Sequence, residues 1–417
     1  MKKLLFIIST ILLLAEFYKS SAQWVQVTNG IGNKAVNALA VNGTYIFAGT
    51  QLYGVYLSTN NGELWTQAGL SNQLIISSFA FIGNNIFAGT SGGSGNGIYR
   101  STDNGASWTQ SGLNNRDINS LIVIGNNIFA GTAANHGVYV STNNGTNWTQ
   151  TALNNRNVTS LAVNGNYIFA GTFDPSNLYG VYLSTNNGGT WTQTSLNNQN
   201  VYSLAVNGNN IFAGTGSPTY AGVFLSTNNG TSWAQTTLNN FEINELAVIG
   251  NNVFAGGYLN GVYVSTNNGT NWTQRNEGLG NVEIFSFCIL NNYIFAGSGW
   301  QTPLGIWRRP LSELVGIQLL SNEIPEKFSL SQNYPNPFNP TTKIRFDIPP
   351  LEGDRGRIVR ITIYDMLGTE ITTLVNEKIK PGTYEVKWEG TDYSSGVYYY
   401  KLFAGDYSET KKMILLR

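Results

Sequence analysis

Charged and polar side chains recur at one position of a repeating sequence, and they are the first candidates for chemistry. They are Lys34, Arg116, Arg156 and Gln199, with Asp117, Glu242 and Glu283 one residue later in their repeats. Arginine binds carboxylates through parallel hydrogen bonds, and a pair of carboxylates can cleave glycosidic bonds. Nothing in the spacing of these acids selects such a pair. The residues therefore indicate a binding surface, with a hydrolytic site as the open alternative.

Aromatic residues in variable segments are the second group of candidates. Tyr179, Tyr220 and Trp300 lie in loops between the repeated segments. Rings in such places stack on sugars, anchor a protein partner or pack within their own loops. The sequence leaves these three roles open.

Residues that hold metals or phosphates are scarce. His136 is the sole histidine and Cys288 the sole cysteine, and no cluster of His, Asp and Glu has the spacing of metal ligands. The glycines do not lie between a strand and a helix, where phosphate-binding loops occur. We therefore expect no metal and no cofactor. Basic and acidic residues number 23 each, which gives no reason to expect nucleic acid as a partner.

The elements that must position these residues follow from an internal repeat. The tripeptide Phe-Ala-Gly begins at Phe47, Phe87, Phe129, Phe169, Phe212, Phe254 and Phe295, at intervals of 40 to 43 residues. Each period contains four short β-type runs separated by Asn/Gly turns, which is typical of a propeller blade. The sequence therefore predicts an all-β fold with a seven-bladed β-propeller over residues 23–310.

The two ends of the repeat region complement each other. Trp24-Val25-Gln26 resembles the last run of a period without the runs before it, and the seventh period stops after Gly305-Ile306-Trp307. We expect the N-terminal strand to complete the last blade and close the ring, which leaves no unpaired blade edge. The loops that carry the candidate residues then share one face, around the mouth of the central channel.

A second motif supports a family resemblance. Ser-Thr-Asn/Asp-Asn-Gly-x-x-Trp occurs six times, ending at Trp65, Trp108, Trp148, Trp191, Trp233 and Trp272. These turns resemble the Asp-boxes of sialidases, sortilin-type receptors and photosystem II assembly-factor-like propellers, although only Asp103 supplies the aspartate. The resemblance implies a propeller in which the boxes close hairpins on the face opposite the candidate residues. A sialidase-like site also requires three arginines, and only Arg116 and Arg156 are placed for it.

The N-terminus has the features of an export signal. Lys2-Lys3 precede an apolar stretch and Ser20-Ser21-Ala22, which predicts a signal peptide over residues 1–22. The apolar stretch is shorter than the roughly 20 residues that span a membrane. We expect an exported protein that is not an integral membrane protein.

The composition changes after Pro310. A linker is predicted over residues 311–326 and a small Ig-like β-sandwich over 327–417. Three prolines alternate with asparagine in Tyr334-Pro335-Asn336-Pro337-Phe338-Asn339-Pro340, which excludes a helix there. Alternating strands follow, including the run that starts at Gly396 and contains Tyr398.

This C-terminal region resembles the type A sorting domain of type IX secretion cargo. The matching positions are Tyr334 to Phe338, Gly396, Tyr398 and Lys411. The resemblance implies a bacterium of the Bacteroidetes and relatives, recognition by the type IX machinery at the outer membrane, and an extracellular or surface-attached product. The expected function is non-enzymatic binding of a glycan or protein through the loop-rich face. The alternatives are a sialidase-like or glucanase-like glycoside hydrolase and a structural adhesin component.

Overall fold

A computed structural model gives the fold of this chain. It describes residues 23–416 except 72–73, 93–95, 217–220, 292, 300–303, 312–313, 315–316, 322–323, 351–356, 380 and 391–392. The predicted signal peptide and the candidates Tyr220 and Trp300 lie outside the described residues.

The described chain is built from strands. Those of residues 23–310 are β1 (Val25–Gln26), β2 (Val36–Asn42), β3 (Tyr45–Thr50), β4 (Val55–Ser58), β5 (Thr66–Gln67), β6 (Ile75–Ile82), β7 (Asn85–Ser91), β8 (Ile98–Ser101), β9 (Thr109–Gln110), β10 (Ile118–Ile124), β11 (Asn127–Thr132), β12 (Val138–Ser141), β13 (Thr149–Gln150), β14 (Val158–Asn164), β15 (Tyr167–Thr172), β16 (Val181–Ser184), β17 (Thr192–Gln193), β18 (Asn200–Asn207), β19 (Asn210–Gly216), β20 (Gly222–Ser226), β21 (Ala234–Gln235), β22 (Ile243–Ile249), β23 (Asn252–Gly257), β24 (Gly261–Ser265), β25 (Thr273–Gln274), β26 (Ile284–Leu290), β27 (Tyr293–Ser298) and β28 (Gly305–Pro310). Those of residues 311–416 are β29 (Ile317–Ser321), β30 (Ser329–Leu330), β31 (Thr341–Ile348), β32 (Arg357–Tyr364), β33 (Glu370–Ile379), β34 (Gly382–Glu389), β35 (Gly396–Ala404) and β36 (Tyr407–Leu415).

The strands before residue 311 form antiparallel sheets of four. We call β2–β5 blade 1, β6–β9 blade 2, β10–β13 blade 3, β14–β17 blade 4, β18–β21 blade 5 and β22–β25 blade 6, and the sheet β26-β27-β28-β1 is blade 7. The first strand of each blade contacts the first strand of the next, and β26 contacts β2. Contacts between neighbouring blades therefore return from the seventh sheet to the first.

The repeated Phe-Ala-Gly lies in the second strand of each blade, where it is buried on both sides. Phe47 and Ala48 have no exposed surface, and the same is true of their equivalents in the other blades. Gly49 faces Ile76 of the next blade so closely that an added Cβ would lie 2.6 Å from Ile76 Cγ2. The glycine is therefore required by the distance between adjacent sheets, since any side chain there would push the blades apart.

The Ser-x-Asn/Asp-x-Gly turns close the outer hairpins of blades 1 to 6. In blade 3, Ser141 Oγ accepts a hydrogen bond from Gly145 N at 2.9 Å and donates one to Asn143 Oδ1 at 3.0 Å. Asn143 Oδ1 also accepts from Asn147 N at 2.9 Å. Asn144 and Gly145 both have positive φ, 53° and 77°, the geometry for which Asn-Gly is favoured. Asparagine thus supplies the acceptor oxygen that aspartate would.

In blades 1 to 4, the tryptophan that follows the turn donates a hydrogen bond to the preceding blade. Trp148 Nε1 donates to the carbonyl of Ser111 in blade 2 at 2.9 Å, and Trp65 Nε1 donates to that of Val27 at 2.9 Å. Trp24 makes the corresponding bond to the carbonyl of Arg275 in blade 6, at 2.7 Å. The N-terminal tryptophan therefore takes the place of the one that the seventh repeat lacks.

The N-terminal strand belongs to the last blade. In β1, Val25 lies opposite Arg308 and Gln26 opposite Trp307, and Val27 N donates to the carbonyl of Ile306 at 2.8 Å. This pairing supplies the outer strand of blade 7 from a segment about 280 residues away in sequence. Loss of β1 would expose the backbone edge of β28.

The C-terminal region is a sandwich of two antiparallel sheets. One has the order β29-β34-β31-β30 and the other β33-β32-β35-β36. Alternate residues of both sheets meet in one core that includes Phe346, Ile361, Trp388, Tyr400 and Met413. Such alternation of inward and outward side chains is expected of a sandwich.

Two features of this sandwich differ from the sequence prediction. The predicted linker 311–326 contains β29, which pairs with β34, because the open edge of β34 offers backbone groups to any extended segment. The strand β33 was not predicted, since its run Glu370-Ile371-Thr372-Thr373 mixes polar and apolar residues without strict alternation. Its register against β32 is shifted twice by bulges.

We predict that removing the Trp24 side chain destabilises the propeller. Trp24 is 2% exposed, so Trp24→Ala should lower the free energy of unfolding by about 3–5 kcal/mol, measured by urea denaturation. Val25 in the same strand is 50% exposed, so Val25→Ala should change it by less than about 0.5 kcal/mol. Equal effects of the two changes would contradict the role assigned to Trp24.

Candidate functional site

Each blade has a bulge near the start of its first strand. In blade 3 the register against β11 shifts between Ile118 and Ser120, and the same shift occurs in the other six blades. The residues within the shifts are Asn37, Ser77, Asn119, Thr159, Tyr202, Asn244 and Phe285. A bulge changes the direction of the side chain it carries, so these residues define the channel mouth on the face of the variable loops.

A cavity of about 400 Å³ lies at this mouth, and we call it the mouth pocket. Its walls consist of amide, hydroxyl and aromatic side chains. They are Ser77, Asn119, Ala133, Asn157, Thr159, Phe173, Tyr202, Asn244 and Phe285. None of the charged candidates is among these described lining residues, because the bulge brings the residue two or three positions later to the mouth.

Hydrogen bonds between blades hold the walls of the mouth pocket. Ser77 Oγ donates to the carbonyl of Ile118 and Thr159 Oγ1 to that of Val201, both at 2.5 Å. Asn119 Nδ2 donates to the carbonyl of Val158 at 2.9 Å and to Asn157 Oδ1 at 3.2 Å. Each bond links one blade to the next, so the pocket is part of the rigid frame.

The basic candidates bind tyrosines and backbone carbonyls of the propeller. Arg156 Nε donates to Tyr182 Oη at 3.0 Å, and its guanidinium lies 3.9 Å from the ring centre of Tyr179. Arg116 donates to Tyr139 Oη at 3.4 Å, and the ammonium of Lys34 lies 5.1 Å from the ring centre of Tyr53. Cation–π contacts engage Lys34 and Arg156, and a hydrogen bond to Tyr139 engages Arg116. These contacts hold the three cations beside tyrosines of the propeller, and their part in binding stays a prediction.

Two further candidates, Asp117 and Gln199, form hydrogen bonds through their backbone carbonyls. The carbonyl of Asp117 accepts from Ala133 N at 3.0 Å, and that of Gln199 accepts from Gly180 N at 3.1 Å. Both bonds tie the loop before a first strand to the loop between second and third strands. These residues support the loops that flank the mouth pocket.

The acidic candidates Glu242 and Glu283 lie beside the mouth pocket and influence each other. Asn244 Nδ2, on the pocket wall, donates to Glu283 Oε1 at 3.3 Å. Glu242 and Tyr202 both pack against Gly216, where an added Cβ would lie 2.5 Å from Glu242 Cγ and 2.7 Å from Tyr202 Cε2. Burial raises the pKa of both carboxyl groups, and the charge of Glu242 adds to this for Glu283. Burial and the charge of Glu242 also raise the pKa of Tyr202 to about 12.

One acid at the channel wall was missed by the sequence reasoning. Glu245 occupies the position at which Ser120, Ser160 and Ser203 each accept a hydrogen bond from a leucine N–H of the next blade, at 3.0, 3.0 and 3.1 Å. Burial raises the pKa of Glu245 to about 7, against the effect of hydrogen bonds from Ser203 and the backbone of Phe287. Alignment of the repeats would have identified Glu245, because it is a glutamate at a position where the other repeats mostly have serine.

The predicted sorting-signal residues have structural roles in the sandwich. Phe338 is 2% exposed and packs on Trp388, with ring centres 5.3 Å apart. The carbonyl of Pro335 accepts from Thr342 Oγ1 at 2.8 Å, and Asn336 Oδ1 accepts from Ile414 N at 3.0 Å. The segment that also contains Pro337 is thereby joined to both sheets, while the side chain of Tyr334 is 79% exposed.

The later motif residues also support the sandwich. Gly396 begins β35 opposite Leu415, and Tyr398 is 8% exposed and donates to the carbonyl of Ser394 at 2.8 Å. Lys411 forms an ion pair with Glu409 at 3.0 Å. These contacts explain why this motif accompanies the fold.

Metal-binding clusters and membrane-spanning helices are both absent from the part of the chain that the structure describes. No group of three His, Cys, Asp or Glu side chains that could hold a metal ion occurs among them. Within the same part of the chain, no helix has the length and apolarity needed to cross a membrane.

The C-terminal domain matches a known family. Residues 332–416 fit the family of the secretion system C-terminal sorting domain, which confirms the sorting domain predicted from the sequence. A comparison with curated proteins finds no match.

Solved structures similar to this chain are propeller proteins. PorZ, described as an essential bacterial surface component of the type IX secretion system of Porphyromonas gingivalis, has a TM-score of 0.58 and 16% identity over 93% of this chain. The match covers 60% of PorZ, so this chain is similar to only part of that protein. YCF48 bound to D1 peptide has a TM-score of 0.53 and 15% identity, covering 69% of this chain and 96% of YCF48. The computationally designed protein Ika8 has a TM-score of 0.50 and 13% identity, and the match covers 68% of this chain and 99% of Ika8.

The fold and the comparisons define the class of protein. The all-β class and the propeller architecture are confirmed, and the propeller is followed by a secretion-system sorting domain. The chain is therefore an exported propeller protein, secreted or held at the cell surface.

We predict that Glu245 makes stability depend on pH. Its folded-state pKa of about 7 exceeds the ordinary value of 4.5, so the folded state binds more protons and loses stability as the pH rises from about 4.5 to 7. The loss should be at most about 3 kcal/mol, at 1.36 kcal/mol per pKa unit. Urea denaturation at pH 5 and pH 8 should show a smaller difference for Glu245→Gln than for the unaltered chain. The exposed Glu326 provides the control Glu326→Gln, and an equal reduction in that variant would contradict the assignment.

Proposed function

We propose that this protein is a non-enzymatic binding protein, exported through the type IX machinery, whose propeller binds a neutral sugar of an extracellular glycan. The observation that carries this proposal is the mouth pocket, with its cavity of about 400 Å³ walled by amides, hydroxyls and three aromatic rings. This volume is within the range of small-molecule sites, which combine apolar walls with a few fixed polar groups.

The chemistry of the walls matches that of a sugar. Hydroxyl groups of a sugar both donate and accept hydrogen bonds, and a side-chain amide can do the same. Asn119 donates through Nδ2 to the pocket wall, which leaves its Oδ1 to accept from a ligand. Phe173, Tyr202 and Phe285 provide apolar ring surfaces for the C–H face of the sugar.

The distribution of charge favours a neutral ligand. The arginines that could bind an acidic sugar through its carboxylate are engaged by Tyr139 and Tyr182. The nearby acids are buried, and Glu283 already accepts a hydrogen bond from Asn244. An acidic sugar would meet these carboxylates without a cation to balance them.

We predict that Phe173→Ala and Asn157→Ala each weaken sugar binding about tenfold or more, the equivalent of about 1.4 kcal/mol. A glycan array should first identify the ligand of the unaltered protein, and calorimetry should then give its affinity for each variant. On the opposite face of the same blade, Asn166 lies in the turn between β14 and β15 and Tyr167 begins β15. They provide the matched controls Asn166→Ala and Tyr167→Ala. The proposal fails if the pocket variants bind like the controls, or if only a peptide library yields a ligand.

The second candidate function is glycoside hydrolysis, which one observation favours. Glu242 and Glu283 lie on adjacent blades beside the mouth pocket, and the pKa of both carboxyl groups is raised. A carboxyl group with a raised pKa can serve as the general acid in such a reaction, with the second carboxylate as base or nucleophile.

The two candidates differ in a measurable product. Hydrolysis predicts that the glycan found on the array is shortened during incubation, with new reducing ends, and that Glu242→Gln or Glu283→Gln slows this at least a hundredfold. Non-enzymatic binding predicts that the glycan stays intact with the unaltered protein and with both glutamine variants. Release of reducing ends by the unaltered protein alone would replace the first candidate by the second.

A further inference from the structure

The second sheet of the sorting domain, β33-β32-β35-β36, has an outer face unlike the rest of the domain. Along β35 the side chains of Tyr398, Tyr400 and Leu402 are buried in the core, at 8%, 0% and 0% exposure. Alternation along a strand turns Tyr399, Lys401 and Phe403 to the outside. These three residues of β35 thus face inward, and the residues between them form its outer surface.

Neighbouring strands extend this surface with the same chemistry. On β32, Tyr364 lies opposite Tyr399 and Arg360 opposite Phe403, and on β36, Lys412 lies opposite Tyr399. The guanidinium of Arg360 is 4.7 Å and the ammonium of Lys401 is 4.4 Å from the ring centre of Phe403. The basic-aromatic face consists of Arg360, Tyr364, Tyr399, Lys401, Phe403 and Lys412.

An exposed apolar turn lies at one end of the basic-aromatic face. Met366 is 69% exposed and Leu367 is 90% exposed. The turn is held by the carboxylate of Asp365, which accepts from Leu367 N and Thr369 N, both at 2.8 Å. A cavity of about 490 Å³ lies beside the turn, with room for a side chain of a partner, and is lined by Tyr364, Asp365, Met366, Gly368, Tyr399, Lys401 and Thr410.

Two acids lie at the edge of this face, and each accepts hydrogen bonds from neutral groups nearby. Asp365 is bound within its own turn, and Glu370 on β33 accepts from Thr373 Oγ1 at 2.8 Å. Bonds from these neutral donors leave both carboxylates charged, so the three basic groups of Arg360, Lys401 and Lys412 face two acids among the side chains described there.

The outer face of the opposite sheet provides a contrast within the same domain. Lys343, Arg345 and Asp347 alternate on β31, and Lys343 forms an ion pair with Glu385 of β34 at 2.7 Å. Acidic and basic residues are mixed there, and the described outward positions of β31 and β34 hold no aromatic ring. A solvated face is expected to look like this.

We propose that the basic-aromatic face, with the Met366-Leu367 turn, is the surface by which a protein of the secretion machinery holds this chain, and that the partner presents carboxylates around an apolar anchor. A sorting domain must be recognised by another protein, and aromatic and arginine residues are enriched where proteins bind each other. The positive charge of the face is complementary to an acidic partner. This inference does not depend on the function proposed for the propeller.

Export of the full-length chain tests the proposal, in a type IX host that delivers the unaltered protein to its surface. Lys401→Glu with Lys412→Glu should reduce the extracellular fraction at least tenfold, and Met366→Ser with Leu367→Ser should do the same. The matched controls are Arg345→Glu with Lys387→Glu on the opposite face, and Ile324→Ser, whose side chain is 63% exposed outside the face. Thermal unfolding of each purified variant must equal that of the unaltered chain for a variant to be scored.

A crosslinking experiment tests the chemistry of the partner. A carbodiimide joins lysine amines to carboxylates in contact, so the unaltered chain should be crosslinked to an outer-membrane protein during export. Lys401→Arg with Lys412→Arg preserves the charge and should preserve export, while the crosslink is lost. The proposal is overturned if the glutamate variants, folded, are exported normally or if the controls lose export equally. Binding to phosphatidylglycerol vesicles that is lost in the glutamate variants, without any export defect, would assign the face to lipid instead.

Discussion

The close approach of neighbouring blades is the constraint on which the propeller depends. Each second strand is apolar on both sides, with Phe47, Ala48 and their equivalents fully buried, so a blade alone would expose two apolar faces to water. A glycine in every one of these strands allows the branched side chain of the next blade to come within contact distance. Burial on both sides is complete only where every blade has two neighbours, and blade 7 has them because β26 contacts β22 on one side and β2 on the other.

The same constraint determines what the mouth pocket can be. Because the first strands are packed against each other, their bulges direct short polar side chains across the gap between blades, as Ser77, Asn119 and Thr159 do. The walls of the pocket are therefore preorganised by bonds that also hold the ring together. A ligand would not have to order these groups on binding, and this reduces the entropic cost of association.

The sequence predicted the repeating parts well and the site less well, for identifiable reasons. Phe-Ala-Gly and the Asn-Gly turns report strand and turn positions directly, because their chemistry is local. The position of Arg156 could not be read in this way, since the tyrosines that hold it, Tyr179 and Tyr182, are more than 20 residues away. The bulges also place Asn119, Tyr202 and Asn244, and not the predicted charged residues, on the pocket wall. In the sandwich, β29 was missed because its pairing with β34 depends on a distant strand.

Both domains separate the residues that specify the fold from those that could give a specific function. Five blades carry Asn, Ser or Thr at the bulge, whereas blades 5 and 7 carry Tyr202 and Phe285, and blade 6 has Glu245 at the channel wall. A ring of identical repeats would present the same groups in every direction and could not orient a ligand. The departures in three adjacent blades make the mouth pocket asymmetric. In the sorting domain, the motif residues Tyr398 and Phe338 are buried while Tyr334 is 79% exposed. The outward positions of β35 carry rings and a positive charge beside the buried ones. In the propeller, the repeated residues are explained by packing, and the irregular residues beside them are what distinguishes one blade from another at the mouth pocket.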